Sequence, residues 1–264
     1  MTAMPMRALV RRPSSRLAEG IVMHAERVAV DADRAARQWA DYVAALTAAG
    51  WQIIEVPPAE DCPDGVFVED TMVVYGDLAV VSRPGATARR PETRAAEATV
   101  AAAGYRIASI TDPATLDGGD VLKAGATVYV GLTERTNATG ADQLAGFLEP
   151  LGATVVRVPT TKVLHLKSAV TALPDGRVIG YPPLVDDPAA FAEFLPVPEE
   201  AGAHVVLLGP DDDGVHRLLM ADGAPRSAAL FVELGYRPVA VDISEFEKLE
   251  GCVTCLSVRI RSRC

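Results

Sequence analysis

The stretch LEPLGATVVRVPT, residues 148–160, contains the pattern that decides the fold. An apolar, helix-like run ends at Gly152, and a short segment rich in Val follows at once. Glycine is the usual residue just past the end of a helix, because that position needs a positive φ angle. Runs rich in Val and Ile favour buried strands. The stretch therefore predicts a helix, a glycine turn and a strand.

The same pattern recurs along the chain. Other copies are LTAAGWQIIEVPP at Gly50, VAAAGYRIASIT at Gly104, FVELGYRPVAVDI at Gly235 and a weaker one, EEAGAHVVLLGP, at Gly202. The first three spacings are about fifty residues and the last is shorter, which predicts a closed array of repeats. Each repeat is predicted to contain strands and one helix. The alternative is an ordinary α/β domain, in which helix–glycine–strand junctions also recur.

Helix boundaries follow from capping signals. Apolar residues at helical spacing predict a helix over 33–49. Pro91 lies near the start of a second predicted helix, over 92–103, where proline is favoured. Asn137 is the predicted N-cap of a third helix that runs to Phe147. With the strands, these helices assign the chain to the α/β class.

Composition and charge narrow the class of protein. Of the 264 residues, 49% are apolar, enough for a sizeable core, and the formal net charge of −10 disfavours nucleic acid as a partner. Neither a signal peptide nor a run of about 18 apolar residues is present, so no membrane association is expected. The cysteines Cys62, Cys252, Cys255 and Cys264 are too few for a disulfide framework. We expect a cytoplasmic monomer or homodimer with reduced thiols.

The C-terminal run EKLEGCVTCLSVRIRS contains a candidate nucleophile. Cys255 follows a glycine-containing turn and precedes a strand-like segment, so its thiol can point into a cleft. Cysteine is also a common small residue of hydrophobic cores. Cys252 and Cys255 spell C-x-x-C, which is typical of a redox or zinc site when a second ligand pair is present. The sequence contains no second pair, so we predict no metal site.

Two further motifs offer partners for this thiol. His165, in VLHLKSAV, is by itself typical of a buried core position, but an imidazole near Cys255 can take the thiol proton and later protonate a leaving amine. Asp117, in ATLDGGDVL, lies beside a glycine pair. That motif predicts either a tight turn with solvated acids or a carboxylate that orients His165 or helps to hold a cation.

The run CPDGVFVEDTMVV predicts a strand that acidic residues interrupt. Glu69 and Asp70 lie between apolar segments, and Asp64 lies in the turn before them. Neighbours in a strand face opposite sides, so at least one of the two acids is expected to be buried, where a carboxylate needs a cationic partner. A bound guanidinium supplies five donors for this purpose. Alternatively, one acid faces solvent and the other pairs with a protein arginine.

Two arginine-containing motifs complete the set of candidates. SRPGATARR contains Arg83, Arg89 and Arg90, and GLTERTN contains Arg135. Loop arginines are usually solvated. A substrate carboxylate, however, favours a bidentate arginine partner.

The motifs FVED, RPGAxxRR, LDGGDVL, VGLxxRTN, LHLKS and TC-x-S occur in an order and spacing that resemble the dimethylarginine dimethylaminohydrolase family, from Ala8 to Ile260. The resemblance implies a pentein fold, an α/β-propeller of five ββαβ-type repeats with pseudo-fivefold symmetry, as one catalytic domain over residues 1–264. It implies hydrolysis of mono- and asymmetric dimethylated L-arginine to L-citrulline and methylamine or dimethylamine. The implied reaction passes through a covalent cysteine thiouronium and needs no cofactor.

The resemblance also implies residue roles. Cys255 is the nucleophile, His165 the general acid/base, and Asp117 the residue that orients His165. The implied substrate ligands are Asp64, Glu69 and Asp70 for the guanidinium, Arg89 and Arg135 for the carboxylate, and backbone carbonyls near Val22 and Leu249, at a flap, for the α-amino group. Cys252 departs from the family pattern, and we expect a packing role for it.

Three alternatives remain open. An arginine deiminase or amidinotransferase has the same fold, although deiminases of this type are usually longer, with a helical insertion that is not apparent here. A thiol redox or metal-binding protein would use the C-x-x-C motif. A catalytically inactive arginine-binding protein would keep the acidic pocket. A small cationic guanidine is the expected ligand of the deiminase or amidinotransferase and of the inactive arginine-binding protein.

Overall fold

The computed structural model describes residues 6–260, so Cys264 and both ends of the predicted domain lie outside the described residues. Fifteen strands within 6–260 form five three-stranded sheets. In chain order the strands are β1 Arg7–Val10, β2 Gln52–Glu55, β3 Met72–Tyr75, β4 Leu78–Val81, β5 Arg106–Ser109, β6 Val121–Ala124, β7 Thr127–Leu132, β8 Thr154–Pro159, β9 Val170–Ala172, β10 Val178–Gly180, β11 Phe194–Pro196, β12 Val206–Pro210, β13 His216–Ala221, β14 Arg237–Val241 and β15 Val258–Ile260.

The α-helices are α1 Ala32–Ala48, α2 Thr93–Ala102, α3 Ala138–Leu148, α4 Pro225–Glu233 and α5 Ser244–Glu247. Helix α3 begins directly after the predicted N-cap Asn137, and α1 and α2 begin within one residue of their predicted starts. The Asn137 side chain accepts a hydrogen bond from Gly140 N, which confirms it as the N-cap of α3. Pro91 lies in a 3₁₀ helix, Thr87–Glu92, so α2 begins later than its predicted start. None of the helices within 6–260 has the length and apolarity needed to cross a bilayer.

All five sheets share one plan. The middle strand pairs antiparallel with one neighbour and parallel with the other, as in β3-β4-β5 and β6-β7-β8. The same plan holds for β9-β10-β11 and β12-β13-β14. The fifth sheet combines the two ends of the described chain, because β1 lies between β15 and β2. Arg7 is the register partner of Ile260 in that sheet.

The parallel crossovers explain the recurring glycines. Helices α1, α2, α3 and α4 connect the two parallel strands in four sheets, and the chain then turns at Gly50, Gly104, Gly152 and Gly235, whose φ angles are 88°, 89°, 90° and 84°. The prediction for Gly202 is wrong. It lies in a 3₁₀ helix, and β12 after it is the first strand of a new sheet. The crossover from β10 to β11 contains short 3₁₀ helices instead of an α-helix.

Five hydrophobic clusters close the sheets into a ring. Each cluster contains buried residues from two neighbouring sheets, for example Leu9 with Met72, Val73 with Val121, Leu122 with Val170, Leu173 with Val205, and Val206 with Val10. Because the last pair returns to β1, no sheet lacks a neighbour on either side. The closed array that the glycine pattern predicted is confirmed, and so are the five repeats that the resemblance implied.

Candidate active site

The candidate catalytic residues precede the first strand of different repeats. Asp70 lies in the 3₁₀ helix before β3, and Asp117 and His165 lie directly before the 3₁₀ helices that lead into β6 and β9. Cys255 lies in the turn before β15. These positions are equivalent in the ring, so the repeat itself brings four residues that are far apart in sequence to one place.

One small pocket collects most of the predicted site. Its lining includes the predicted residues Asp64, Asp70, Arg89, Arg135, His165, Leu249 and Cys255. Its volume is about 20 Å³, enough for one water molecule. A much larger cavity, of about 1020 Å³, is lined by other residues. The smaller pocket is the candidate active site, because it alone of these two contains the thiol and the imidazole.

His165 is fully enclosed between two carboxylates. Its Nε2 lies 3.1 Å from Asp117 Oδ2, and its Nδ1 lies 3.8 Å from Asp70 Oδ1. Burial alone lowers the pKa of an imidazole. The charge of Asp70 and the hydrogen bond to Asp117 outweigh burial and raise the pKa of His165 to about 9. The ring is therefore a cation at neutral pH, ready to act as an acid.

Asp117 does not lie in a solvated turn. It is fully buried, and Gly85 N donates a hydrogen bond of 3.0 Å to its Oδ1. The glycine pair after it is required by close contacts. A Cβ atom on Gly119 would lie 2.6 Å from Asp70 Oδ1 and 2.7 Å from His165 Nδ1. The DGG motif thus lets a backbone segment pass directly against the imidazole.

Asp70 is a buried, ionised acid. Arg89 Nη1 donates a hydrogen bond of 2.6 Å to its Oδ2, and Gly119 N donates one of 2.8 Å to its Oδ1. Burial favours the neutral form of Asp70, but the charges of His165 and Arg89 and these hydrogen bonds lower its pKa to about 2. The expectation that one acid of the FVED motif pairs with a protein arginine is confirmed for Asp70.

Glu69 differs from its prediction in two ways. Glu69 and Asp70 lie in a 3₁₀ helix, Val68–Thr71, and not in a strand, and both are buried, so neither acid faces solvent. Glu69 does not line the small pocket. Its Oε1 forms ion pairs with Lys167, at 2.6 Å, and with Arg259, beside the large cavity. Its Oε2 is buried without a hydrogen-bond partner.

The two predicted arginines, Arg89 and Arg135, differ in how many of their N–H groups have no hydrogen bond within the protein. Arg89 makes hydrogen bonds with Asp70 and with both oxygens of Glu92, and its Nη2 also donates to backbone carbonyls. Glu92 was not predicted, because nothing local distinguishes it from an exposed helix residue. Arg135 is buried, and its Nη1 has no hydrogen-bond partner. A buried donor without a partner favours an anionic ligand.

The loop over residues 21–30, here called the flap, lies beside the pocket, and Glu250 binds the backbone of this loop. The carboxylate of Glu250 accepts hydrogen bonds from Met23 N at 2.6 Å and His24 N at 2.8 Å. Ile21 N donates to Asp64 Oδ1 at 3.1 Å, and Ile21 lines the pocket. The predicted Val22 does not line it. Glu250 was not predicted from the sequence, since its role depends on a loop more than 200 positions away.

Asp64 and Leu249 lie beside this flap. Burial raises the pKa of Asp64, and the nearby charge of Arg89 opposes that shift. Leu249 is buried and precedes Glu250, which has a φ angle of 60°. A non-glycine residue seldom adopts this left-handed conformation. The strained residue is thus the same one that binds the flap.

Cys252 lies next to the candidate nucleophile. The two sulfurs are 3.3 Å apart, and both residues are buried. The hydrogen bond between them, together with burial and the charges of Glu69 and Asp70, raises the pKa of Cys255. The same hydrogen bond lowers the pKa of Cys252. The two thiols therefore titrate together and not independently of each other.

Possible metal ligands already have protein partners. Among residues 6–260, one group of three such side chains lies close enough to share an ion: Asp70, Asp117 and His165, whose ligand atoms are within 4.8 Å of one another. His165 and Asp117 are hydrogen-bonded to each other, and Asp70 is bonded to Arg89. A cation here would have to compete with the imidazolium for the same carboxylates.

Comparison with known proteins gives a consistent result. No family model matches the chain. It is 62% identical to N(G),N(G)-dimethylarginine dimethylaminohydrolase of Streptomyces coelicolor over 97% of both chains. It is 34% identical to the enzyme of that name from Pseudomonas aeruginosa, over 95% of this chain and 98% of the other.

Solved structures agree with these relatives. A dimethylarginine dimethylaminohydrolase adduct with S-methyl-L-thiocitrulline covers 97% of this chain and 100% of the other, with a TM-score of 0.89 and 32% identity. The Pseudomonas aeruginosa enzyme, as a Cys-to-Ser mutant with citrulline, has a TM-score of 0.89 and 33% identity, at the same coverage. The N-terminal domain of a cyanobacterial arginine dihydrolase shares the fold, with a TM-score of 0.85 at 19% identity. The chain is a hydrolase of the dimethylarginine dimethylaminohydrolase family and has the pentein fold.

Proposed function

We propose that this protein hydrolyses Nω-methylated L-arginine, mono- or asymmetrically dimethylated, to L-citrulline and methylamine or dimethylamine. The observation that carries the proposal is the pocket in which Cys255 and His165 face one space, with Asp117 hydrogen-bonded to His165. The names of the relatives support dimethylarginine as the substrate. One domain over residues 1–264 performs the reaction without a cofactor.

Substrate charge activates the nucleophile in this proposal. In the free protein, the hydrogen bond with Cys252, burial and nearby acids keep Cys255 protonated. A bound guanidinium adds positive charge beside the sulfur, which favours the thiolate. A bound cation therefore increases the fraction of Cys255 that is present as the reactive thiolate.

The reaction then proceeds in two steps. The Cys255 thiolate attacks the central guanidinium carbon, and the carbon–nitrogen bond to the methylated nitrogen breaks as His165 donates its proton to the departing amine. A covalent thiouronium remains on Cys255. Neutral His165 next removes a proton from water, which attacks the same carbon and releases citrulline and the sulfur. Asp117 orients the ring throughout.

The acids bind the guanidinium end of the substrate, and the arginines bind its α-carboxylate. Asp70 and Asp64 contact the guanidinium from inside the pocket, and Glu69, which does not line the pocket, contributes through its negative charge. Arg135 offers its Nη1, which lies 3.7 Å from Asp117 Oδ2 and has no hydrogen-bond partner, to the α-carboxylate. Arg89 has one Nη1 hydrogen left for the same purpose and mainly holds Asp70.

The α-amino group is assigned to the flap. It is received by backbone carbonyls near Val22 and at Leu249, the two segments that meet over the pocket. The flap must move outward for the substrate to enter, because the closed pocket has room for about one water molecule.

Two matched substitutions test the nucleophile. Cys255→Ser should reduce citrulline release from asymmetric dimethylarginine by a factor on the order of 10³ or more, because the serine hydroxyl is far less nucleophilic than a thiolate. Cys252→Ser should retain most of the activity. The reverse outcome would contradict the proposal and favour a function built on the C-x-x-C motif.

A guanidine panel tests the substrate. Citrulline should form fastest from mono- and dimethylated arginine, with one methylamine or dimethylamine released per citrulline. Faster ammonia release from unmethylated arginine would identify an arginine deiminase instead, and dependence on an added amine acceptor would identify an amidinotransferase. Binding of arginine without turnover would indicate an inactive arginine-binding protein.

A further inference from the structure

Cys252 is a buried nucleophilic group that the proposed reaction does not use. It lies one turn before Cys255, with its sulfur 3.3 Å from the Cys255 sulfur and 3.2 Å from Thr254 Oγ1. Its side chain does not line the pocket, whereas Cys255 does. The two sulfurs therefore differ in access to solutes and are nevertheless in direct contact.

The local backbone suits a bond between these sulfurs. Cys255 N donates a hydrogen bond of 3.0 Å to Cys252 O, which closes a tight turn. The ends of such a turn lie within about 7 Å at Cα, close to the usual range for disulfides. The sulfurs need to approach from 3.3 Å to about 2.05 Å, a movement that side-chain rotation can supply.

We propose that Cys252 and Cys255 form a peroxide-sensitive modification site, in which an intramolecular disulfide reversibly blocks the active site. The proton shared between the sulfurs moves to Cys252, and the Cys255 thiolate breaks the O–O bond of hydrogen peroxide to give a sulfenic acid and hydroxide. The Cys252 thiol then attacks the Cys255 sulfur, which forms the disulfide and releases water. In sum, one thiolate and one thiol lose two electrons to one peroxide, which is reduced to hydroxide and water.

Cys252 would also protect the nucleophile. A sulfenic acid without a thiol partner is oxidised further to sulfinic and sulfonic acids, which thiol reductants do not reverse. The contact of 3.3 Å makes disulfide formation faster than a second encounter with peroxide. The electrostatic attraction of His204 helps to lower the pKa of Cys252, which keeps its sulfur reactive.

Mass spectrometry tests the proposal without a substrate. Trypsin cleavage after Lys248 and Arg259 releases peptide 249–259, which contains Cys252 and Cys255 and no other cysteine. After treatment with dilute peroxide, this peptide should lose two hydrogens and regain them with dithiothreitol. Citrulline release should fall and recover in parallel. A parent peptide that instead gains two or three oxygens would overturn the proposal.

Matched variants identify the protecting sulfur. In Cys252→Ser, irreversible loss of activity, relative to its own starting value, should be about tenfold faster than in the parent, and the peptide should carry added oxygens. Cys62→Ser, which removes the other described buried cysteine, should behave like the parent. Equal irreversible loss in Cys252→Ser and the parent would contradict the protective role. A disulfide that forms without loss of activity would instead refute Cys255 as the nucleophile.

Discussion

His165 owes its charge to two carboxylates on opposite sides of its ring, Asp70 and Asp117. Its pKa in the folded protein, about 9, is above the ordinary value of 6.5. The resulting stabilisation is complete below pH 6.5 and is lost as the pH rises through about 9. The same interactions that stabilise the fold thus keep the leaving-group acid protonated at neutral pH.

Replacing Asp117 with Asn tests this arrangement. The amide keeps the shape of the side chain but removes its negative charge, so the pKa of His165 should fall below about 9. The alkaline limb of the kcat/KM profile should move to lower pH, and kcat should drop on the order of 10²-fold or more. NMR titration of labelled histidine measures the shift directly.

Asp175→Asn is the control for Asp117→Asn. Asp175 is a partly exposed carboxylate that binds Arg177 and Tyr236. Its replacement should leave the titration of His165 unchanged. An unchanged His165 pKa in Asp117→Asn would show that Asp70 and Asp120 set the charge of the ring without Asp117.

At the scale of elements, the flap is an irregular segment that Glu250 attaches to the rest of the molecule. The segment from Ile21 to Val30 forms no helix or strand, and Glu250 accepts two of its backbone N–H groups. Glu250 does so in a left-handed conformation, which costs of order 1 kcal/mol or more for a residue with a Cβ atom. The fold therefore accepts strain at the point where the flap is attached.

Glu250→Ala should loosen the flap. Two partly exposed hydrogen bonds are worth about 1 kcal/mol in sum, so KM for dimethylarginine should rise roughly fivefold, with kcat within about twofold. Amide exchange at Met23 and His24 should accelerate. Glu250→Gln, which keeps one acceptor oxygen, should recover part of the effect.

Glu250→Gly separates strain from binding. Glycine adopts the positive φ angle freely, so this variant should be more stable than Glu250→Ala while its KM stays high. Equal KM values in the parent and all three variants would refute the role of Glu250 in substrate binding.

Local sequence patterns predicted the helices, strands and turns better than they predicted the side-chain contacts between distant residues. Glycine turns and N-caps mark positions where one or two residues decide the geometry, so Gly152 and Asn137 were recognised. The acids of FVED were predicted to lie in a strand because apolar residues flank them. Their ion-pair partners are distant in sequence: Arg89 is 19 positions from Asp70, and Arg259 is 190 positions from Glu69. No local pattern reports such pairs, and none distinguished Glu250 from an exposed surface acid.

The whole ring depends on the sheet that combines both ends of the chain. Leu9, in β1, is fully buried in the cluster that joins this sheet to β3. Cys255 immediately precedes β15 of the same sheet. The position of the nucleophile is thereby coupled to the closure of the ring.

Leu9→Ala should destabilise the entire molecule. The cavity and the lost apolar contact should cost about 2–5 kcal/mol of unfolding free energy and lower the melting temperature by about 5–15 °C in a single transition. Leu151→Ala, at a side chain that is 38% exposed, should change it little. Separate unfolding transitions in Leu9→Ala would show that the repeats fold independently.

The pairing of Arg7 with Ile260 brings the two ends of the described chain side by side. Joining them through a short linker and cutting the exposed turn near Asp212 would reorder the gene without removing any sheet from the circle. In the present order, Cys255 follows the other catalytic residues, so a ribosome makes the imidazole before the reactive sulfur. In such a circular permutant, that sulfur would be made early and would wait for its imidazole instead.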